Sequence, residues 1–289
     1  KAAGFGVVSH EPDKERYEHK YEYCDLLITG SGPSGLASAY SAAKNGAKVI
    51  LAEDKPRFGG SLLTSDVNIG NESGKEWADK IITELKSMPN VVVKNRAQVF
   101  GYYDHNMLVM SERLTEHLPK SDKFTPKQKL WYIRAKEVVI SSGSIERPLV
   151  FGNNDTPGVL LSSAAKEYMK VYGVLVGKKP IIFTNNDSAY ETAIEFKKNG
   201  VDPIVLDSRK ELSSDLIKEA KSLGINIKFE YVVVNANGYR KVKSADIAKI
   251  SDDKTTLGKI ENIACDCICV SGFWPPTIHL ASQSGGKTK

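Results

Sequence analysis

The sequence is poor in cysteine and has no long hydrophobic run, no basic block and no cluster of metal ligands. Its four cysteines form no Cys-x-x-Cys pair and have no histidine beside them, so we predict neither a metal site nor a redox-active dithiol. Cys265, Cys267 and Cys269 alternate along an apparent strand and are expected to share one buried face. No apolar run approaches the ~20 residues of a membrane span.

The charge pattern and the two ends of the chain give further expectations. The net charge of +5 comes from scattered lysines without interleaved aromatic residues, which argues against nucleic-acid binding. The first twenty residues are polar and mixed in charge, so we expect no signal peptide. Cysteines that pack as small buried hydrophobes are expected of a reduced, cytoplasmic protein. The chain starts at Lys1 and stops in the polar stretch Ser282 to Lys289, which is expected of a piece of a longer polypeptide.

A dinucleotide-binding βαβ pattern occupies Asp25–Asp54. An apolar strand runs into Gly30-x-Gly32-x-x-Gly35, and a helix rich in small residues and a second strand ending at Glu53 follow. Gly30 allows the tight turn, Gly32 lets the backbone approach a pyrophosphate, and Gly35 lets the helix pack close to the sheet. The helix N-terminus favours phosphate, and Glu53 has the spacing of an acid that binds a ribose diol.

This pattern predicts one bound NAD or FAD, because a carboxylate at the ribose position would repel the 2′-phosphate of NADP. Spacing does not separate NAD from FAD, and the alternative is a glycine-rich turn that packs and binds nothing. We predict no catalytic residue and no metal ligand. The candidate cofactor-binding residues are Gly30, Ser31, Gly32, Pro33, Ser34, Gly35, Glu53, Asp54, Gly59, Gly60, Ser61, Val99, Ser142, Gly143 and Gly272.

A second βαβαβ pattern starts at Pro180 but lacks the glycine turn. None of the glycine positions in Thr184–Tyr190 is glycine. Asp187 is expected to cap the following helix and would repel a pyrophosphate, and Tyr190 replaces a small residue. Asp207 keeps the position of the ribose acid but is expected to be a solvated strand end. We therefore predict that the second unit binds no dinucleotide.

The pattern as a whole predicts an α/β fold with two Rossmann-like dinucleotide-binding domains of the glutathione and thioredoxin reductase type, the second inserted in the first. The expected divisions are a lead-in over 1–24, a first domain over 25–150 plus 246–289, and an inserted domain over 151–245. Further expected elements are a helix over about Lys75 to Met88, a meander of Ala97–Tyr103, Met107–Leu114 and Lys129–Arg134, a strand over Lys136–Ser142, a two-residue hairpin turn at Asn237-Gly238, and a last strand over Asn262–Val270.

Several long and unusual strings stand out in the sequence: Gly101–Asn106, Ser142–Phe151, Asn153–Asp155, Phe183–Tyr190 and Ser271–Trp274. These strings resemble the alpha subunits of heterotetrameric sarcosine oxidases. The resemblance covers nearly the whole chain, from about Gly4 to Gly286, with departures at Phe273 and Pro276.

The resemblance implies cofactors and partners that the residues alone do not. It implies NAD at Gly30, Gly32, Gly35 and Glu53, and it implies that FAD and covalently held FMN belong to a beta subunit and its interface with alpha. It further implies other small subunits, N- and C-terminal parts of alpha outside this chain, and a tetrahydrofolate site in that C-terminal part.

We therefore expect the nucleotide-binding part of an alpha subunit whose complete enzyme demethylates sarcosine oxidatively, with the chemistry outside this chain. Two alternatives remain open: a stand-alone FAD-dependent amine or opine oxidoreductase, and a non-catalytic scaffold stabilised by its nucleotide.

Overall fold

The computed structural model describes residues 6–122, 124–251 and 256–287, which form two compact units. The first unit comprises the described parts of Lys1–Leu62, Asp66–Gly143 and Ile278–Lys289. The second comprises Leu63–Ser65 and the described parts of Ser144–Thr277, so it interrupts the first along the chain. In the described part of the chain, no helix has the length and apolar composition needed to cross a membrane.

The first unit is built on a six-stranded sheet with two long helices. The strands lie in the order β5-β2-β1-β8-β7-β6, and β3 and β4 form a separate antiparallel pair. The elements are β1 (Tyr17–Thr29), α1 (Pro33–Lys44), β2 (Val49–Ala52), β3 (Asn68–Ile69), β4 (Glu72–Ser73), α2 (Gly74–Ser87), β5 (Val91–Lys94), β6 (Ala97–Tyr103), β7 (Met107–Arg113) and β8 (Gln128–Ile140).

Four of these strands, β5, β2, β1 and β8, run parallel, and β6 and β7 complete an antiparallel meander with β8. Successive side chains of a strand point to opposite faces. Ile28 therefore packs with Leu36 of α1 and Leu85 of α2, whereas Leu27 packs with Ile50 and the buried residues of the meander. The carboxyl ends of β1, β2 and β8 lie at one edge, which is where a doubly wound sheet binds ligands.

Two boundaries in the first unit differ from the prediction. β1 begins at Tyr17, so part of the expected lead-in belongs to the sheet, where Tyr17–Cys24 pairs in parallel with the first half of β8. Aromatic and charged residues alternate along this segment with the period of a strand, but its polar composition led to its prediction as a lead-in. β8 is also continuous and joins the two strands predicted over Lys129–Arg134 and Lys136–Ser142, because the buried Ala135 keeps the alternation through the junction.

The second unit repeats the layout with a five-stranded parallel sheet. Its strands lie in the order β12-β11-β10-β16-β9, and β13, β14 and β15 form an antiparallel sheet. The elements are β9 (Val159–Leu161), α3 (Ser162–Tyr172), β10 (Pro180–Thr184), α4 (Ser188–Lys198), β11 (Ile204–Asp207), α5 (Asp215–Ser222), β12 (Asn226–Phe229), β13 (Tyr231–Gly238), β14 (Val242–Lys249), β15 (Glu261–Ala264) and β16 (Cys267–Ser271). The last helix, α6 (His279–Gln283), belongs to the first unit.

The end of the second unit differs from the expected return at residue 246. β16 lies between β10 and β9, and Phe183 pairs with Val270. Every residue of β16 is buried, which suits a central parallel strand covered on both faces. The chain therefore rejoins the first unit only at Ile278.

The expected last strand is two strands, and this changes the placement of the cysteines. β15 ends at Ala264 and β16 begins at Cys267. Cys267 and Cys269 pack in the core beneath the helices, whereas Cys265 packs in the core on the other side of the sheet. The expectation that all three cysteines share one face was therefore wrong.

The hairpin turn predicted at Asn237-Gly238 lies further along the chain. β13 continues through both residues, Asn237 pairs with Ser244, and Gly238 pairs with Val242 across a register shift. Gly238 has a φ of 152°, and a Cβ atom there would lie 2.0 Å from the carbonyl oxygen of Lys241. The glycine thus permits the close approach of the Lys241 carbonyl just before β14 begins.

Candidate functional site

The glycine turn joins β1 to α1 at the carboxyl edge of the first sheet. The amide of Gly30 donates to the carbonyl of Ala52 at 2.8 Å. A Cβ atom at Gly30 would lie 2.4 Å from the carbonyl oxygen of Ser141, and one at Gly35 would lie 2.0 Å from the carbonyl oxygen of Gly30. Real Cβ atoms do not come this close to backbone. Glycine at position 30 therefore lets the turn lie against Ser141, and glycine at position 35 lets α1 lie against the turn.

Gly32 has different surroundings, because a Cβ atom there would meet nothing within 4 Å. Gly32 precedes Pro33 at the first position of α1, and it makes no side-chain cap. The first turn, which includes Ser34 and Gly35, carries no acidic residue. A helix N-terminus of this kind offers backbone N–H groups and a partial positive charge to an anion. The open space in front of Gly32 is thus suited to a pyrophosphate.

Glu53 follows β2 directly and holds the glycine turn through its side chain. Oε2 of Glu53 accepts from the backbone N–H of Ser31 at 2.9 Å and from its hydroxyl at 2.6 Å, and Oε1 accepts from the N–H of Lys55 at 2.9 Å. Glu53 and Ser31 are both buried. Burial raises the pKa of Glu53, as does a hydrogen bond with the Asp54 side chain, while the bonds from Ser31 and Lys55 lower it.

The loop after β2 lies against the same turn. The N–H of Gly59 donates to the carbonyl of Ser31 at 3.0 Å, and a Cβ atom at Gly60 would lie 2.8 Å from Cα of Gly32. Ser61 follows in a short 3₁₀ helix over Gly60–Leu63. The structure therefore brings Gly59 and Gly60 to the glycine turn, and Ser61 is their neighbour in the chain.

The segment after β8 also reaches this edge. The N–H of Ser141 donates to the carbonyl of Thr29 at 2.8 Å, which places Ser141 beside Gly30 and brings Ser142 and Gly143 next along the chain. A Cβ atom at Gly143 would meet nothing within 4 Å, but its φ of 66° favours glycine.

Two predicted site residues belong to other elements of the fold. Val99 lies on β6, pairs with Met110 and packs partly buried against the core beneath the meander. Gly272 belongs to the second unit, where its N–H donates to the carbonyl of Arg147 at 2.7 Å. A Cβ atom at Gly272 would lie 2.8 Å from the same carbonyl oxygen, so this glycine has a packing reason of its own.

Sequence reasoning missed two residues near the turn. Thr29 is the last residue of β1, and its buried hydroxyl has no hydrogen-bond partner among the described atoms. The guanidinium of Arg113 donates to the carbonyl of Asp54 at 2.6 Å and steadies the loop that follows Glu53. A hydroxyl residue just before a glycine turn is a detectable signal, whereas the contact of Arg113 depends on the fold of the meander.

The corresponding turn of the second unit is filled by its own side chains. Asp207 is fully buried and accepts from the hydroxyl of Tyr190 at 2.8 Å and from the guanidinium of Arg209 at 2.7 Å. Arg209 also donates to Asp187 at 2.7 Å. Although burial alone would raise the pKa of Asp187, the hydrogen bonds from Arg209 and Ser214 and the charge of Arg209 lower it.

Two expectations about this second turn were wrong. Asp207 is not solvated, because the phenol and the guanidinium satisfy its carboxylate inside the core. Asp187 occupies the N-cap position of α4 but makes no side-chain cap, since its carboxylate bonds to Arg209 instead. The carboxylate at the ribose position is thus already occupied by two side chains of the protein.

The sequence matches the family model described as pyridine nucleotide-disulphide oxidoreductase over residues 24–289. The chain belongs to this family. The family fold agrees with a likeness to the thioredoxin reductase of T. acidophilum, which has a TM-score of 0.69 at 16% identity and covers 92% of this chain and 82% of that one. The predicted fold class of two Rossmann-like units is confirmed.

Two curated relatives are similar to nearly the whole of this chain. It is 38% identical to the sarcosine oxidase subunit alpha of Rhizobium meliloti (strain 1021) over 99% of its length. It is 34% identical to that of Corynebacterium sp. (strain U-96), again over 99%. The chain spans only 28% and 30% of these relatives' own lengths. The resemblance predicted from the sequence strings is confirmed.

This chain has no redox-active Cys-x-x-Cys pair of the kind that disulphide reductases use. All four cysteines are free and buried. Burial raises the pKa of Cys24 and of Cys265 to about 12, so neither forms a thiolate at neutral pH. The pKa of Cys269 is also raised, first by its hydrogen bond with Cys267 and then by burial. These thiols pack as small apolar groups.

Proposed function

We propose that this chain is the nucleotide-binding part of the alpha subunit of a sarcosine oxidase-like enzyme and that it binds one dinucleotide at the first glycine turn. The open space in front of Gly32 carries this proposal. It lies at the N-terminus of α1, and the loop of Gly59 and Gly60 lies beside it. The carboxylate of Glu53 accepts a hydrogen bond from Ser31 of this turn and would also accept from a ribose hydroxyl.

The donor set suits NAD and FAD alike, and the resemblance to sarcosine oxidase alpha subunits favours NAD. The glycine turn would hold the pyrophosphate through backbone N–H groups, and Glu53 would accept from ribose hydroxyls. A 2′-phosphate would face the Glu53 carboxylate, which disfavours NADP. When bound, such a cofactor supplies the capacity to carry hydride, whereas the residues of this chain bind and orient it.

The sarcosine chemistry belongs to the complete enzyme in this proposal. Similarity to the two sarcosine oxidase alpha subunits supports oxidation of the secondary amine by hydride transfer to flavin. The proposed partners are a beta subunit with FAD and FMN, other small subunits, and parts of alpha outside this chain. The proposed compartment is the cytoplasm.

Identification of the ligand tests the binding proposal. The purified chain is titrated with NAD, NADP and FAD by calorimetry, and its own bound ligand is released by heat and identified by mass spectrometry. We expect one equivalent of NAD and no measurable binding of NADP. A yellow protein with one FAD would favour the stand-alone oxidoreductase, and a chain that binds none of the three would contradict the proposal.

A further inference from the structure

The Ser31 side chain connects the glycine turn to two later positions in the chain, Glu53 and Gly59. Its hydroxyl donates to Oε2 of Glu53 at 2.6 Å and accepts from the N–H of Gly59 at 3.3 Å. Ser31 is fully buried although it lies between two glycines of the turn. Its hydroxyl is therefore committed to a carboxylate and is not a surface group that happens to be nearby.

Three hydrogen-bond donors fix the orientation of the Glu53 carboxylate. Two donors of Ser31 bind one carboxylate oxygen, and the N–H of Lys55 binds the other. An ionised carboxylate has about four acceptor positions, and these donors fill three of them. The Asp54 side chain can hydrogen-bond to Glu53 only when one of the two acids is protonated, so the fourth position is open to a ligand when both are ionised. Of the three donors, only the Ser31 hydroxyl is a side chain and can be removed by substitution.

We propose that Ser31 is a positioning residue for Glu53, whose hydroxyl holds the carboxylate ionised and oriented to accept from the ribose hydroxyls of a dinucleotide. This inference rests on the proposed function. It assigns to the middle position of Gly30-x-Gly32 a side-chain role in orienting the ribose acid, which glycines cannot have.

Burial and hydrogen bonds set the direction in which the pKa of Glu53 is shifted. Burial raises the pKa of Glu53 above its ordinary range, and the Asp54 side chain adds to this, whereas the hydroxyl of Ser31 opposes both. Around these groups, Lys55 donates its N–H to Glu53, Arg113 donates to the carbonyl of Asp54, and Arg96 donates its N–H to the carbonyl of Lys55.

The sign of the pH effect follows from the hydrogen bond. The Ser31 hydroxyl donates to the carboxylate and so favours its charged form. Ser31→Ala removes that donor, which raises the pKa of Glu53 further. As the pH is lowered, the variant therefore loses the ionised carboxylate, and with it dinucleotide affinity, at a higher pH than the unsubstituted chain does. At high pH, where Glu53 is ionised in both proteins, the two affinities converge.

The test measures the dissociation constants of NAD and FAD for the unsubstituted chain and for Ser31→Ala between about pH 5 and 8. We expect Ser31→Ala to weaken binding by about tenfold at the acid end and by less than about threefold at the basic end. Ser31→Thr, which retains the hydroxyl, should restore the original midpoint. In a Glu53→Gln background, affinity should lose its pH dependence and Ser31→Ala should have little further effect.

The outcomes separate this inference from the proposed function. An equal loss at every pH would mean that Ser31 only supports the backbone, and it would overturn the inference while leaving the binding proposal intact. An unsubstituted chain that binds neither NAD nor FAD would overturn both. If the Ser31 variants do not fold, as judged by circular dichroism, an affinity of the unsubstituted chain that does not change with pH would still overturn the inference.

Discussion

Gly30, Gly32 and Gly35 are the same residue type, but a Cβ atom would meet different surroundings at each. At Gly30 and Gly35 it would collide with backbone atoms of the first unit, and at Gly32 it would enter open space. Gly30 and Gly35 therefore serve packing, and Gly32 leaves room for a ligand. Fold and binding are separable by substitution within one short turn.

Gly32→Val should remove dinucleotide binding and leave the fold unchanged. The valine side chain would occupy the space proposed for the pyrophosphate without meeting protein atoms at its Cβ. Calorimetric titration with NAD and FAD and a thermal melt of the ligand-free chain measure the two effects. Gly35→Val is the matched comparison, because its Cβ would lie 2.0 Å from a backbone oxygen and should lower the melting temperature. Undiminished binding by Gly32→Val would refute the assignment.

The second turn shows what individual residues could and could not predict. The missing glycines and the size of Tyr190 were visible in the sequence, and they gave the prediction that this turn binds no dinucleotide. The burial of Asp207 was not visible, because it depends on Arg209 folding back over a strand end. A short polar run at a strand end has the same composition whether it is solvated or buried, so only the tertiary contacts distinguish the two.

Arg209 joins the end of β11 to the start of α4, since its guanidinium bonds to both Asp207 and Asp187. Arg209→Met would leave the fully buried Asp207 without its cation. Removing one partner of a buried ion pair costs about 3–5 kcal/mol, and because Arg209 is itself partly exposed we expect a loss of about 2–3 kcal/mol in the free energy of unfolding.

Urea denaturation of the unsubstituted chain and of Arg209→Met measures this loss in the free energy of unfolding. Lys218→Met is the matched control, because Lys218 pairs with the exposed Asp215 and should change the free energy of unfolding by less than about 0.5 kcal/mol. Equal effects of the two substitutions would show that the Arg209 contacts add nothing beyond those of a surface pair.

The strands and helices were predictable to different degrees. α2 starts within a residue of its predicted position, because apolar residues recur at the helical period and Ser73 with Glu76 forms a capping box. The first half of β1 and the pairing of β16 were not predicted. Pairing between β10 and β16 joins segments far apart in sequence, and an apolar strand suits either sheet until its neighbours are known.

The chain has the fold of the pyridine nucleotide-disulphide oxidoreductases, yet it lacks two parts of their chemistry. Its thiols are buried without a Cys-x-x-Cys pair, and the acid at the second turn is occupied by Tyr190 and Arg209. One open glycine turn remains. The fold was predictable from the repeated βαβ pattern, whereas the substrate is suggested only by similarity to longer proteins.

We predict that the 289-residue chain by itself does not oxidise sarcosine. Hydride transfer requires a redox cofactor beside the substrate, and the protein contributes position and electrostatics. The open turn suits NAD, and both flavins are proposed for a partner subunit. The experiment measures sarcosine-dependent peroxide release by the purified chain supplied with NAD or FAD, and again after addition of a beta subunit and the remaining parts of alpha. We expect release only from the complete assembly, and release by the chain alone would mean that the chemistry lies within these two units.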